Sequence, residues 1–340
     1  MAEIRRILVT GGAGFIGSHY VELLAREHPG TEIVVLDKLT YAGSRENLEA
    51  VAESIQFHEG DIADEGDVRA AMEGVDAVAN FAAESHVDRS LRAPLPFVHT
   101  NVRGVLVLLE EARRAGVKRF LQVSTDEVYG DLAGTDAHSV ETDPFHPRSP
   151  YAATKASAEH LAMSYHVSYD LPVVITRGSN TYGPRQYPEK IIPFFIARAV
   201  RDEPLPLYGD GSALRDYMHV EDHARGVHRV LTHGEAGEAY NLGARLEVPG
   251  TQVAEGILQA LGRPTTAIEF VADRPGHDYR YSVDPSKAEA LGWERRHSFE
   301  EGLPETVRWY VDNADWVQRR LESRAHAEHT KAWYRSDADS

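Results

Sequence analysis

Short apolar runs rich in β-branched residues alternate with helical segments through the first half of the chain. The runs occupy positions 6–10, 32–36, 77–81, 120–124 and 172–176. Strands that alternate with helices in this way are typical of a parallel, doubly wound sheet with helices on both faces. We therefore predict an α/β fold whose ligands bind in the crevice at the carboxyl ends of the strands.

From about position 177 the spacing of apolar residues becomes irregular, and Pro, Gly and Tyr become frequent. We predict a first domain over 1–176 and a smaller, mainly substrate-binding lobe over 177–330 that closes over the crevice. A helix at about 217–234 is predicted to return to the first domain, so that the two lobes interleave. Positions 331–340 are predicted to form a polar tail.

Three glycines, Gly11, Gly14 and Gly17, follow the first strand and open a helical segment. Glycine lets the backbone approach a pyrophosphate, whose charge then rests on the N-terminus of the helix. Asp37 ends the second strand, 20 residues past Gly17. A carboxylate there accepts hydrogen bonds from ribose hydroxyls and repels a 2′-phosphate, so the pattern predicts a Rossmann-type sheet that binds NAD and not NADP.

Other residues at strand ends extend this predicted cofactor site. Asp61 and Ile62 would flank the adenine, although Asp61 could equally be an ordinary loop acid, and Asp37 could only cap the turn before Thr40. Small residues after the fourth strand leave room for the dinucleotide, or serve packing. The predicted cofactor residues are Gly11, Gly14, Phe15, Ile16, Gly17, Asp37, Asp61, Ile62, Ala82, Ala83, Tyr151 and Lys155.

Tyr151 and Lys155 lie one turn apart on a helix that Ser149 and Pro150 begin. A free tyrosine has a pKa near ~10, but an adjacent ammonium and the positive nicotinamide ring both favour the phenolate. We expect Tyr151 to act as a base near neutral pH. It would remove a hydroxyl proton while a hydride leaves the same carbon.

Thr125, Asp126 and Glu127 end the apolar strand that precedes this helix. A pair of carboxyl groups can move protons on and off neighbouring carbons. Burial and the neighbouring carboxylate would both raise the pKa of Asp126 above its ordinary value of about 3.9. Together with Tyr151, the pair suggests an oxidation followed by the elimination of water.

Composition restricts the partners and the compartment. The 340 residues are 42% hydrophobic, no run of 18 apolar residues occurs, and the start of the chain reads as a strand and not as a signal peptide, so we expect a cytoplasmic protein with no spanning helix. The formal charge of -17 argues against nucleic-acid and membrane partners. Cysteine is absent, and the 17 histidines form no metal-binding motif, so no metal is predicted; His326 and His329 lie in the polar tail.

The glycine turn, Asp37, Thr125 and the Tyr151–Lys155 pair resemble the extended short-chain dehydrogenase/reductase family. The segments 80–88, 124–130, 149–153 and 188–190 are more specifically similar to its nucleoside-diphosphate-sugar 4,6-dehydratases. The chain departs from their usual pattern on the substrate side. The departures are Gly178 in place of a Cys, Thr181 in place of an Asn, and Tyr279 within a usual Arg pair.

The resemblance implies a redox-neutral mechanism on a nucleotide sugar. Tyr151 takes the proton of the sugar 4-hydroxyl while C4 is oxidised, with Thr125 bonding that oxygen and Lys155 supporting Tyr151. Glu127 then removes the C5 proton, and protonated Asp126 donates to the departing 6-hydroxyl. The substrate residues carried over are Ser85, His86, Asn180, Lys190, Tyr208, Arg215, Asn241, Arg274, His277 and Tyr281, with Glu84 as a weaker contact.

Two other functions fit part of this pattern. A sugar-nucleotide 4-epimerase or a UDP-glucuronate decarboxylase would use Tyr151, Lys155 and NAD but would gain nothing from Asp126 and Glu127. A non-catalytic redox sensor on the same fold commonly loses the tyrosine or the lysine, and both are present. The helices at about 101–115 and 150–169 are rich enough in Ala and Leu to pair two subunits as a homodimer, although burial within one subunit would look similar.

Overall fold

A seven-stranded parallel sheet forms the centre of the computed structural model, which describes residues 4–272 and 278–322. Its strands lie in the order β10-β6-β5-β4-β1-β2-β3. Most of them are apolar and buried almost throughout, because helices cover both faces. The strands are β1 (Arg6–Thr10), β2 (Glu32–Asp37), β3 (Ile55–Glu59), β4 (Ala77–Asn80), β5 (Arg119–Thr125), β6 (Val173–Gly178) and β10 (Glu238–Leu242).

Two layers of helices bury the faces of this sheet, and the predicted fold class is confirmed by this architecture. One layer packs around Tyr20, Val35 and Val227, and the other around Leu108, Phe120 and Ala158. The helices of the large domain are α1 (Phe15–Glu27), α2 (Glu65–Ala71), α3 (Val87–Arg92), α4 (Pro94–Phe97), α5 (Val105–Ala115), α6 (Pro150–Tyr169) and α8 (Val220–His233). Across the two described stretches, every helix is too short or too polar to span a bilayer.

The helix expected from about position 101 differs in its start. A π-helical segment, Val98–Gly104, runs directly into α5. Gly104 lies in this segment, and a Cβ there would come within 2.6 Å of the Ile62 side chain. The close approach of the helix to the loop after β3 therefore depends on a glycine that interrupts the apolar pattern.

The second lobe contains smaller sheets around its own core. β9 (Leu214–His219) pairs with β7 (Asn180–Tyr182) and β11 (Glu247–Pro249), and β8 (Leu205–Tyr208) pairs with β12 (Ile268–Val271). This core contains aromatic side chains from the start of the lobe, such as Tyr182 and Phe194, and from its last helices, such as Phe299 and Trp316. The remaining helices are α7 (Ile191–Val200), α9 (Gly250–Ala260), α10 (Ser286–Ala290), α11 (Phe299–Asp312) and α12 (Ala314–Leu321); short 3-10 segments lie at Arg45–Ser54, Asp126–Val128 and Thr265–Ala267.

The chain crosses between the lobes more than once. α8 packs against α1 on the large sheet, and β10 pairs with β6 at the edge of that sheet. The predicted return of about 217–234 overlaps α8, whereas β10 lies beyond it. The exact domain boundaries stay a prediction, and the predicted tail lies outside the described residues.

Candidate active site

The glycine-rich turn after β1 has no room for side chains. Gly11 has a φ angle of +68°, and a Cβ there would lie 2.6 Å from the amide nitrogen of Ala82. A Cβ on Gly17 would lie 2.2 Å from the carbonyl oxygen of Gly11. α1 begins directly after this turn, and its N-cap, Gly14, offers no side chain to the first amides of the helix. Those amides can therefore bond a phosphate group, which fits the pyrophosphate of NAD.

Asp37 ends β2 at the same edge of the sheet and is held by two backbone amides. Its Oδ2 accepts from the Ala13 amide at 2.9 Å, and its Oδ1 accepts from the Leu39 amide at 2.8 Å. Burial raises the pKa of this carboxyl, while the two amides act to lower it. The turn-capping role is therefore present. Because each carboxylate oxygen has a second lone pair, Asp37 can also accept from a ribose hydroxyl.

Asp61 lies beside this position and is also fixed. Its Oδ2 forms an ion pair with Lys38 Nζ at 2.6 Å, and its Oδ1 accepts from the Ala63 amide at 2.9 Å. Burial raises the pKa of Asp61, but the Lys38 and Ala63 hydrogen bonds outweigh it and the pKa falls below the ordinary value. Asp61 therefore keeps its charge at the end of the cleft where adenine is predicted.

One cavity of about 320 Å³ runs along the carboxyl edge of the sheet and brings most of the predicted residues together. The glycine turn forms one end of it, and the strand-end acids lie further along. Its lining includes every predicted cofactor and catalytic residue: Gly11, Gly14, Phe15, Ile16, Gly17, Asp37, Asp61, Ile62, Ala82, Ala83, Thr125, Asp126, Glu127, Tyr151 and Lys155.

The two catalytic segments are positioned by their local caps. Thr125 ends β5, and its Oγ1 accepts from the Glu127 amide at 3.3 Å, which starts a short 3-10 turn. Ser149 caps α6 by accepting from the Ala152 amide at 3.1 Å. These caps fix the directions in which the acid pair and Tyr151 enter the cavity.

Tyr151 is 8% exposed, and its surroundings favour the neutral phenol. Burial and then the charge of Glu127 raise the pKa of Tyr151, while a hydrogen bond with Thr125 acts to lower it. Lys155 Nζ donates to the Val123 carbonyl at 2.6 Å, and burial lowers the pKa of Lys155 to about 8. The ammonium is thus directed at β5, so the expected phenolate depends on the positive nicotinamide ring.

Asp126 is 3% exposed and has one carboxyl oxygen without a hydrogen-bond partner among the described residues. The other oxygen, Oδ1, accepts from Thr125 Oγ1 at 3.2 Å. Burial, then the charges of Glu127 and Asp216, raise the pKa of Asp126 well above its ordinary value. The geometry therefore supports a protonated Asp126, as expected from the sequence. The charged state of Glu127, which is half-buried, stays a prediction.

Three predicted substrate residues, Ser85, Asn180 and Lys190, line the same cavity, together with Glu84. Lys190 Nζ donates to the Ser85 carbonyl at 3.2 Å across the mouth. His86 is buried behind them, where its ring caps α3.

The remaining predicted substrate residues lie on the side of the second lobe. The Arg215 guanidinium stacks on the Tyr281 ring at 4.8 Å and donates to the Asp278 carbonyl at 2.7 Å. Its charge acts to lower the pKa of Asp126, so it lies near the acid pair. Tyr208 ends β8. Arg274 and His277 lie outside the described residues.

Asn241 has a different environment from the other predicted substrate residues. It is fully buried on β10, its Oδ1 accepts from the Tyr129 hydroxyl at 2.7 Å, and its Nδ2 donates to the Ser139 carbonyl at 2.9 Å. Its backbone amide donates to Glu141 at 2.8 Å. These bonds tie β10 to the loop after β5, and a contact with substrate stays a prediction.

His223 on α8 lines the cavity and was not predicted. Its Nδ1 lies 2.7 Å from Thr181 Oγ1, and its Nε2 is buried without a partner in the described part of the chain. A Cβ on Gly178 would lie 2.5 Å from the His223 ring. The two departures at Gly178 and Thr181 therefore fit one histidine, and burial lowers its pKa to about 4, which keeps it neutral. Those departures were the signal available in the sequence.

A second set of unpredicted residues, Tyr41, Arg89 and Glu189, lies across the cofactor end of the cleft. The Tyr41 hydroxyl donates to Glu189 Oε1 at 2.9 Å, and Arg89 Nε donates to Glu189 Oε2 at 2.9 Å. The Arg89 guanidinium also covers the Tyr41 ring at 4.0 Å. Tyr41 lies between two residues that line the cavity, Thr40 and Ala42. The group thus links the loop after β2 to the second lobe across the cofactor end of the cleft.

The described stretches contain no group of three or more His, Asp or Glu side chains that could hold a metal ion. His326 and His329 fall outside those stretches.

Comparison with known proteins gives the family. The model described as GDP-mannose 4,6 dehydratase matches residues 8–306. The chain belongs to this 4,6-dehydratase family. One relative of this chain is the low-salt glycan biosynthesis protein Agl12 of Haloferax volcanii. It is 50% identical over 307 residues, which cover 90% of this chain and 98% of the relative.

Two further relatives of this 4,6-dehydratase carry more specific names. A dTDP-glucose 4,6-dehydratase of Actinoplanes sp. is 49% identical over 320 residues, covering 92% of this chain and 99% of the relative. The crystal structure of DesIV, a dTDP-glucose 4,6-dehydratase from Streptomyces venezuelae with NAD and TYD bound, matches with a TM-score of 0.90 and 47% identity, covering 93% of this chain and 99% of DesIV. The resemblance predicted from the motifs is confirmed.

Proposed function

We propose that this protein is an NAD-dependent dTDP-glucose 4,6-dehydratase, which converts dTDP-glucose to dTDP-4-keto-6-deoxyglucose and water for deoxysugar synthesis. The predictions of a hydro-lyase activity and of NAD are supported by relatives at 49% and 47% identity over more than nine tenths of the chain. The observation that carries the proposal is the buried carboxyl of Asp126, unpaired at Oδ2, beside Glu127 in the cavity that also holds Tyr151.

The first chemical step oxidises C4 of the sugar. NAD, when bound, accepts a hydride and returns it later in the cycle. Tyr151 takes the proton of the 4-hydroxyl, and Thr125 bonds the same oxygen, consistent with the hydrogen bond between these two side chains. Lys155, with a pKa of about 8, stays largely charged at neutral pH and supports the site from the β5 side.

The second step removes water across C5 and C6. A 4-ketone acidifies C5, and Glu127 takes that proton. When the C5–C6 double bond is later reduced at C6, Glu127 gives C5 a proton that has exchanged with solvent. Asp126 donates its own proton to the leaving 6-hydroxyl, which requires the raised pKa that burial gives it. Water exclusion matters here, because a solvated Asp126 would be ionised and could not act as an acid.

A deuterium experiment tests this reaction. The protein is incubated with dTDP-glucose in heavy water, and the product is analysed by NMR and mass spectrometry. We expect a 4-keto-6-deoxy product with deuterium at C5. A product that keeps all its oxygens, changed only at C4, would show a 4-epimerase instead. Parallel reactions with UDP-, GDP- and CDP-glucose test which nucleotide base the protein accepts. Turnover of one of these sugars without turnover of dTDP-glucose would contradict the proposed substrate.

We also propose that two copies form a homodimer through an apolar surface on the α3–α6 side. Large hydrophobic side chains are exposed there, and they are Leu91, Leu95, Val98, Leu106, Val167 and Tyr169. A Leu95→Glu variant should sediment as a monomer, because it places a charge at a site that is 78% exposed in one subunit. Phe270→Glu, at an exposed site on β12, is the control and should leave the dimer intact. A monomeric wild-type protein would contradict this proposal.

The cytoplasmic location stays a prediction.

A further inference from the structure

A second cavity, of about 620 Å³, lies at the end of the large sheet opposite to the active site. It is enclosed by the starts of β1 and β5, the ends of α1 and α8, and the segment after α10. We call it the basal pocket and define it by Lys118, Arg119, His228, Arg229, Trp293 and Arg296. Its size is within the range of small-molecule sites, which is about 300–1,000 Å³.

The basal pocket concentrates positive charge in a protein whose formal charge is -17. Two of its cations are already neutralised. Lys118 pairs with Asp76 at 2.6 Å, and Arg225 pairs with Glu27 at 2.6 Å. These two pairs leave the other arginines of the pocket to set the sign of the local charge.

Arg119, Arg229 and Arg296 have no carboxylate partner within residues 4–272 and 278–322. The only other acid of the lining is Glu294. The lining thus contains three guanidinium groups without a carboxylate partner and one further carboxylate, that of Glu294. Such an excess of one sign in a partly enclosed space attracts ions of the other sign.

Helix-end capping explains part of this arrangement but leaves donors over. Arg119 donates from Nε to the Leu231 carbonyl at 2.9 Å and from Nη2 to the Gly234 carbonyl. Arg229 donates to the Leu291 carbonyl, and its Nη1 lies 3.2 Å from His233 Nε2. Arg119 Nη1 has no partner among the described residues and remains a donor for a ligand.

The floor of the basal pocket is apolar and aromatic. Trp293 and Leu24 are nearly fully buried beneath it, and the His28 and His228 rings lie 4.2 Å apart at its side. Burial first, and then the charges of His28, His233 and Arg229, lower the pKa of His228 to about 4. The charge of Glu27 acts in the opposite direction and raises the pKa of His228.

We propose that the basal pocket binds a small phosphate-bearing anion. Its phosphate would lie among Arg119, Arg229 and Arg296, and its remaining body would lie over the apolar floor beside Trp293. Arginine suits this role because its planar donors match phosphate oxygens. This site is separate from the nucleotide-sugar cleft, which lies at the other end of the strands.

Calorimetry on the NAD-loaded protein, with dTDP present to fill the substrate cleft, tests this site. Inorganic pyrophosphate and AMP are the two probes, and we expect at least one to bind with a stoichiometry of one per chain. Tighter binding of AMP would indicate a nucleoside phosphate, and tighter binding of pyrophosphate an inorganic anion. Arg229→Gln and Arg296→Glu should each weaken binding by about tenfold or more, which is the usual effect of losing a charged hydrogen bond.

Arg308→Glu is the matched control, because Arg308 is exposed on α11 and lies outside the pocket. It should bind the probes as the wild type does. Arg296 is exposed, so Arg296→Glu should fold and turn over substrate normally even if Arg229→Gln does not fold. Absence of binding by both probes, or equal binding by wild type and Arg296→Glu, would overturn the proposal.

Discussion

The residues at the end of β5 and the residues around Asn241 are both buried and polar, but their side-chain atoms are satisfied differently. Ser124 Oγ and Asp126 Oδ2 have no hydrogen-bond partner in the described part of the chain. Asn241 uses both ends of its amide on protein partners. An unsatisfied buried group costs about 1–3 kcal/mol, so it persists mainly where a ligand completes it. Of these two regions, the one with unpaired polar atoms is the reacting end of the cleft, and the one whose polar atoms are paired is part of the frame that holds it.

The largest effect should come from Tyr151. Tyr151→Phe removes the group that takes the 4-hydroxyl proton, so turnover should fall by roughly 10²–10⁴-fold while bound NAD is retained. Turnover and the NAD content of the purified protein measure the two effects. Tyr165→Phe, on the same helix but bonded to Glu110, is the control. Loss of NAD together with activity would mean that Tyr151 belongs to the frame and not to the reacting end.

Replacing Asp126 should affect activity and stability in opposite directions. Asp126→Asn removes the acid, so elimination should slow by roughly 10²-fold or more, and C4 oxidation should be less affected. The raised pKa means that the folded chain holds this proton more tightly than the unfolded chain does. The stability it gives is complete below about pH 3.9 and is lost as the pH rises through the folded pKa.

The amide variant has no such loss, so its melting temperature should exceed that of the wild type at high pH and approach it at low pH. Melting curves from pH 5 to 9 measure this difference. Wild-type turnover should likewise fall as the pH rises through the pKa of Asp126. Equal melting temperatures at every pH would show that Asp126 is not a protonated, buried acid.

Variants of two asparagines distinguish a structural role from a substrate-binding role. Asn241→Ala leaves the Tyr129 hydroxyl and the Ser139 and Asp284 carbonyls without their partner. The free energy of unfolding should therefore fall by about 1–3 kcal/mol, and KM should not change. Asn180→Ala, in the cavity lining, should raise KM by about tenfold with little change in stability. Thermal melts and steady-state kinetics separate the two. A raised KM for Asn241→Ala at unchanged stability would restore it as a substrate contact.

The smallest expected effect concerns the closure above NAD. Tyr41→Phe keeps the ring beneath Arg89 but removes the hydrogen bond to Glu189. NAD should leave roughly threefold to tenfold faster, as expected for one neutral-to-charged hydrogen bond across the cleft. Cofactor release followed by fluorescence measures this rate. Tyr165→Phe, which also loses a hydrogen bond to a carboxylate but lies outside the cavity lining, should release NAD at the wild-type rate.

Local signals carried most of the fold and the cofactor site. The β-branched runs predicted the strands of the large sheet, because buried parallel strands need apolar residues on both faces. Gly11 and Gly17 were readable because no side chain fits at those turns, and Ser149 was readable because a helix start needs a cap. The π-helical segment Val98–Gly104 was not predicted, and neither was the close approach of its Gly104 to Ile62, because Ile62 lies in another part of the chain.

Long-range contacts decided the rest of the site. His223 and Thr181 are 42 residues apart in sequence, and only the packing of α8 against β7 brings them together. Tyr41 and Glu189 are 148 residues apart. Neither pair has a periodic pattern that a single sequence reveals, and Asn241 was given a substrate role although its contacts hold β10 in place.

The sequence by itself determined the doubly wound sheet, the NAD-type strand ends and the order of Thr125, Asp126, Glu127, Tyr151 and Lys155, because each depends on residues close together in the chain. Only the tertiary structure decided how each polar atom is satisfied. Three features depend on several segments meeting. They are the burial that raises the pKa of Asp126, the Val123 carbonyl that accepts a hydrogen bond from Lys155, and the space at Gly178 for the His223 ring. Desolvation is a property of the assembled surroundings, and no single segment contains it.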